Sequence, residues 1–203
     1  MTDIGKSIRA RLLNISKKEN QSFQLVIIRY MHERLLYRVS RSLYADNFCL
    51  QGGVLLYVYN RQQTRPTLDI DFLGTNIPNE IHSLESSFKE ICSINYPSDA
   101  VVFDTESIIA EEIAGQDEYP GIRLFVTANL DTIRQRIQVD IGFGDIVIPA
   151  PVQLNYPTLL PESGVPVVQA YSLETVVAEK FEAMIDLSVV NSRTFIRSLQ
   201  RSN

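Results

Sequence analysis

The chain has 203 residues, 45% of them hydrophobic and 21% charged, with a formal net charge of −5. A chain of that size and apolarity can bury a real core, which excludes full-length disorder, and its acidity excludes a generic polynucleotide coat. Residues 1–11 are polar rather than signal-like, no apolar run approaches the roughly 20 residues of a membrane helix, and Cys49 and Cys92 sit in apolar contexts without a CxxC or Cys/His cluster. A soluble, cytoplasmic protein with two buried free thiols is expected.

Charge is unevenly placed. Residues 1–42 hold nine bases (Lys6, Arg9, Arg11, Lys17, Lys18, Arg29, Arg34, Arg38 and Arg41) against three acids, so that segment is +6 and the remainder −11. A basic helical arm beside an acidic body suits an enzyme that grips an RNA backbone; a merely solvated helix face has the same signature. Within this arm, Ile8, Leu12 and Ile15 mark one helix. The run Ser16-Lys17-Lys18-Glu19 reads as a capping box before a longer helix whose stripe is Phe23, Val26, Ile27, Tyr30, Met31, Leu35 and Val39.

Residues 48–50 form a short apolar strand that enters Gly52-Gly53, and 54–59 a compact helix. Residues 67–73 are the next strand, with Leu68, Ile70 and Phe72 toward the core. Pro78 opens a helix carrying Ile81, Leu84, Phe88 and Ile91. The period then changes to two, giving strands at 101–103, 107–113, 122–129 and 133–143, with Asp131-Thr132 turning a hairpin. On the last strand Arg134, Arg136, Gln138 and Asp140 lie opposite the apolar set. Five of the nine prolines fall in 149–166, which reads as an extended connection rather than a helix or central strand. Ser172 caps a final helix with Leu173, Val176, Val177, Phe181 and Met184 on its stripe.

The chemistry is concentrated in Arg65-Pro66-Thr67-Leu68-Asp69-Ile70-Asp71-Phe72. Alternate strand residues point the same way, so Asp69 and Asp71 stand side by side, with Thr67 and Arg65 before them on the same face. Two adjacent anions repel unless a cation joins them, and Mg²⁺ (or Mn²⁺) is the cation that takes one or two carboxylates and completes its shell with water and phosphate. The glycine pair allows close backbone approach, and the helix after it turns free N–H groups toward a phosphate. Asp140 supplies a third carboxylate if its strand neighbours residues 67–73; otherwise it is a solvated strand acid. Lys180 lies on the apolar stripe of its helix, where it either snorkels or contacts a phosphate. His32 and His82 sit apart on helices without ligand partners, so neither a histidine metal site nor a catalytic triad is supported.

These residues resemble the AbiEii/AbiGii-type toxin nucleotidyltransferases, distant relatives of DNA polymerase β. The resemblance rests on Phe48-Cys49-Leu50-Gln51-Gly52-Gly53, on residues 65–72, on Gln138-Val139-Asp140-Ile141 and on Glu174-Thr175-Val176-Val177-Ala178-Glu179-Lys180-Phe181. It implies an α+β, polymerase β-like core with a mixed sheet flanked by helices, and transfer of a nucleotide from an NTP with Mg²⁺. It further implies a toxin role beside a cognate antitoxin, with tRNA or another RNA as acceptor.

The expected layout is one nucleotidyltransferase domain over 1–203: basic helices 1–45, catalytic sheet 46–148, connection 149–171 and a helical part 172–203. Asp69, Asp71 and Asp140 are expected to hold the metal, Gly52, Gly53, Arg65, Thr67 and Lys180 the nucleotide, and Lys180 to act with the three carboxylates. No acid follows Asp186, whereas the family pattern has a further acidic motif there, so a truncated C-terminus and a catalytically impaired descendant that binds nucleotide, RNA or a partner form the alternative.

Overall fold

Two long helices open the chain, α1 (Thr2–Glu19) and α2 (Phe23–Arg41). The computed structural model describes residues 2–59, 67–113, 121–144, 149–178 and 181. In α2, Val26, Ile27, Tyr30, Met31, Leu35 and Val39 are all buried, as their three- and four-residue spacing requires. The supposed capping box is instead the last turn of α1. Ser16 is buried and donates its hydroxyl to the Gln21 carbonyl at 3.0 Å, and the helix ends at Asn20 in the left-handed region with φ 51°. Lys17, Lys18 and Glu19 are good helix formers and simply prolong it.

The sheet has seven strands in the order β3-β4-β5-β2-β1-β7-β6. They are β1 (Phe48–Gln51), β2 (Asp69–Gly74), β3 (Val101–Glu112), β4 (Ile122–Leu130), β5 (Ile133–Gly142), β6 (Val152–Asn155) and β7 (Val167–Ala170). Two neighbouring pairs are parallel, β2 with β5 and β1 with β7, and the others antiparallel, so the sheet is mixed as expected. Helix α3 (Gly52–Tyr59) follows β1 directly and α4 (Ile81–Ser93) follows β2. Ile122, Leu124, Val126 and Ala128 of β4 and Ile137, Val139 and Ile141 of β5 all point into the core, leaving Arg123, Phe125, Gln138 and Asp140 on the opposite, partly exposed face. Among the described residues, no helix is long and apolar enough to cross a membrane.

Three expectations need correction. Residues 101–103 and 107–113 belong to one strand, β3, with an irregularity between Asp104 and Ile109 in its pairing to β4. Leu68 is 61% exposed, because β2 begins one residue later, while Ile70 and Phe72 reach the core as expected. The proline-rich connection contains β6 and β7, and β7 pairs with β1. Prolines 151, 157 and 166 flank these strands without interrupting them, and β6 forms the sheet's edge, where strand pairing can stop without an orphaned central donor.

Much of the basic charge of residues 1–42 is spent inside the fold. Arg38 donates to both Asp99 oxygens at 2.7 and 3.2 Å and to the carbonyls of Val101 and Arg34. Beside it, Arg34 donates to Glu33 at 2.6 Å and to the Gly164 carbonyl, while the other Glu33 oxygen accepts the Leu159 N–H at 2.7 Å. All four charged groups are buried. Arg9, Arg11 and Arg29 pair with Asp131, Glu162 and Glu19. An arm reserved for RNA would keep these groups free; here they bind the two opening helices to the β4–β5 turn and to the proline-rich segment.

Candidate active site

Strand geometry sets Asp69 and Asp71 on one face of β2, both half-buried. The parallel pairing of β2 with β5 places Asp71 opposite Asp140 and Asp69 opposite Gln138. As a result one carboxylate oxygen from each of Asp69, Asp71 and Asp140 lies within 4.8 Å of the others. The donors are all hard oxygens from short, rigid strands, which is the chemistry of Mg²⁺ or Mn²⁺ rather than of a soft metal.

The glycine pair abuts this cluster from β1. Gly52 has φ +65°, a conformation that side chains rarely adopt, and a Cβ there would overlap the Asp71 carboxylate, 2.6 Å from its Cγ. A Cβ on Gly53 would stand 2.8 Å from the Thr67 side chain. Both glycines therefore exist so that the start of α3 can press against the acids. That helix has no acid in its first turn, so its first N–H groups form a positive end beside the carboxylates, suited to a phosphate.

Thr67 donates its hydroxyl to Asp69 Oδ1 at 2.6 Å, fixing that carboxylate from the same segment. Arg65 and Lys180 lie outside the described residues. Asp140 is held most firmly. The Arg123 guanidinium of β4 donates to its two oxygens at 2.8 and 2.6 Å, and Gln138 Nε2 lies 3.1 and 3.2 Å from the same pair. The bond to Asp140 keeps Arg123 above its usual range. Nothing in the sequence singled out Arg123; an arginine on an otherwise apolar strand, facing the polar side of its neighbour, is the signal that was available.

His32 also belongs near the site. From α2 its buried ring meets the Leu68 backbone and feels the Asp69 charge, and burial pushes it down to about 4, so it is neutral at pH 7. Its helical position alone gave no sign of β2. By contrast His82 is fully exposed and faces Glu85. Cys49 and Cys92 are buried and in no disulfide, as expected.

A mixed sheet that brings carboxylates of two strands together beside a glycine-led helix is the arrangement expected of a nucleotidyltransferase. Family comparison agrees: residues 34–198 match the family described as nucleotidyl transferase AbiEii toxin, type IV toxin–antitoxin system. The chain belongs to that family. Among solved structures it is similar to JHP933 from Helicobacter pylori, with 14% identity over 78% of this chain and 56% of that one and a TM-score of 0.46. It is also similar to a second H. pylori protein, described as a candidate nucleotidyltransferase, with 14% identity over 78% of this chain and 58% of that one and a TM-score of 0.45. The chain thus spans less than two thirds of the length of either. No curated protein matches the sequence.

Proposed function

We propose that the chain transfers a nucleotide from an NTP to an RNA acceptor, such as tRNA, with a divalent cation, as the toxin partner of a cognate antitoxin. The observation that carries this reading is the convergence of Asp69, Asp71 and Asp140 from two strands beside Gly52 and Gly53. Asp69, Asp71 and Asp140 would hold Mg²⁺ or Mn²⁺, which supplies charge neutralisation on the transferred phosphate. The remaining work falls to the chain itself. Thr67 orients Asp69, the glycine pair admits the triphosphate to the start of α3, and Arg65 and Lys180 contact its phosphates. Asp140 would also help accept the proton of the attacking hydroxyl.

A second reading, in which the chain binds nucleotide without transferring it, is favoured by one observation: both Asp140 oxygens are engaged by Arg123. Incubating the purified chain and its Asp69→Ala variant with labelled NTPs, Mg²⁺ and total RNA decides between them. Label in RNA that the variant fails to transfer supports the enzyme. Mg²⁺-dependent nucleotide binding without transfer supports the second reading, and the absence of both overturns the site.

A further inference from the structure

One register row crosses five strands of the sheet: Glu111 on β3, Arg123 on β4, Asp140 on β5, Asp71 on β2 and Gln51 on β1. Arg123 is therefore flanked on the same face by two carboxylates, one on each neighbouring strand, at the roughly 5 Å Cβ separation of directly opposed residues. Its guanidinium lies on Asp140, making both hydrogen bonds of a bidentate pair. Glu111 is exposed, makes no ion pair among the described residues, and faces Arg123 from the other side.

We propose that Arg123 is a two-position counter-cation: it latches Asp140 in the metal-free site and passes to Glu111 when a divalent cation takes the Asp140 oxygens. The inference rests on the metal-site reading above and adds how that site is regulated. A guanidinium fork on a carboxylate competes with a cation for the same lone pairs and repels the cation as well. Without an alternative carboxylate, displacing it would leave a partly exposed arginine with water in place of a charged partner. Glu111 removes that penalty, since the side chain needs only to change rotamer between adjacent strands. Arg123 is thus a positioning residue that sets how much cation is needed to arm the third carboxylate, and Glu111 sets how easily it lets go.

Mn²⁺ titration of the nucleotide-free chain, followed by electron paramagnetic resonance, tests this with Arg123→Gln, Glu111→Gln and the double variant. Asp71→Asn serves as the site control. Arg123→Gln is expected to tighten the Asp71-dependent Mn²⁺ affinity by about tenfold, the equivalent of one charge-assisted hydrogen bond, and to lower the melting temperature only when metal is absent. Glu111→Gln is expected to weaken Mn²⁺ binding in the parent but to change nothing in the Arg123→Gln background, since its effect acts through the arginine. An unchanged or weaker affinity in Arg123→Gln overturns the latch, and an equal effect of Glu111→Gln in both backgrounds overturns the second position. If the parent shows no Asp71-dependent Mn²⁺ binding, the metal-site reading itself falls, and the latch with it.

Discussion

The protein holds two clusters of charge, and they are built on opposite rules. Under α2, Arg38 faces Asp99 and Arg34 faces Glu33, so each buried charge has an opposite partner and some backbone hydrogen bonds, although Arg34 Nε and Nη1 and Arg38 Nε find no acceptor among the described residues. On the outer face of β2 and β5, three carboxylates lie together and a guanidinium, that of Arg123, bonds one of them, Asp140. The first cluster is balanced and closed, and it holds together elements far apart in sequence. The second carries an excess of negative charge and stays partly open to solvent. A reader of charge alone would have exchanged them, because the basic residues of α2 look available and the strand acids look ordinary.

Breaking the open cluster should act on binding rather than folding. Asp71→Asn removes a central ligand, and since partners that merely orient a metal ligand are worth about 10–100-fold in affinity, Mg²⁺-dependent NTP binding should fall by at least that range in calorimetry. The melting temperature should hold steady or rise, as relieved repulsion predicts. A large fall in melting temperature would mean that the acids are structural.

Breaking the closed cluster should do the reverse. Asp99→Ala strands Arg38 in the core and should lower unfolding free energy by about 3–5 kcal/mol in urea titration, with Mn²⁺ affinity per folded molecule unchanged. Combining it with Arg38→Met should recover much of the loss, because an apolar replacement of the whole pair leaves no buried charge. If the double variant is no better, the pair is not the origin of the cost.

The pH dependence sharpens the boundary between the two clusters, where His32 and Glu33 are neighbours in sequence but face different ones. His32 is lowered from 6.5 to about 4 by burial, so the unfolded chain binds its proton first. Its contribution is complete above pH 6.5 and is lost as pH falls toward 4, on the order of 3 kcal/mol at about 1.4 per unit. Glu33 is raised from 4.5 to about 7, also by burial and against the pull of Arg34. Its contribution is complete below pH 4.5 and is lost as pH rises through about 7. Stability measured between pH 4 and 7.5 should therefore show His32→Leu flattening the acid side of the difference curve and Glu33→Gln the neutral side. Parallel curves for both variants and the parent would refute the burial of these groups.

What was legible from residues 65–72 was whatever depends on neighbours along the chain. Asp69 and Asp71 share a face because strand side chains alternate, the glycine pair announces close approach, and the α2 stripe follows from 3.6 residues per turn. The same local logic erred where a boundary decided the outcome. Leu68 has the parity of a core residue but precedes β2, and Ser16 has the spacing of a cap but lies inside α1. It also read the prolines of 149–166 as a connection, because a sequence records a missing donor but not whether the strand beside it lies at an edge, where the donor is not needed.

Which strands meet was decided only by the tertiary structure. Asp140 was a candidate on the condition that its strand neighbours β2, and the parallel β2–β5 pairing meets it, bringing together acids about seventy residues apart. Packing of α2 against the sheet likewise buries Arg38 on Asp99 and carries His32 to the base of β2, while the β4–β5 hairpin sets Arg123 across from Asp140. Periodicity is a property of one element and can be read from it. Register and partnership are set by how several elements bury their apolar faces at once, so the pairing of the site's charges became visible only when the sheet was assembled.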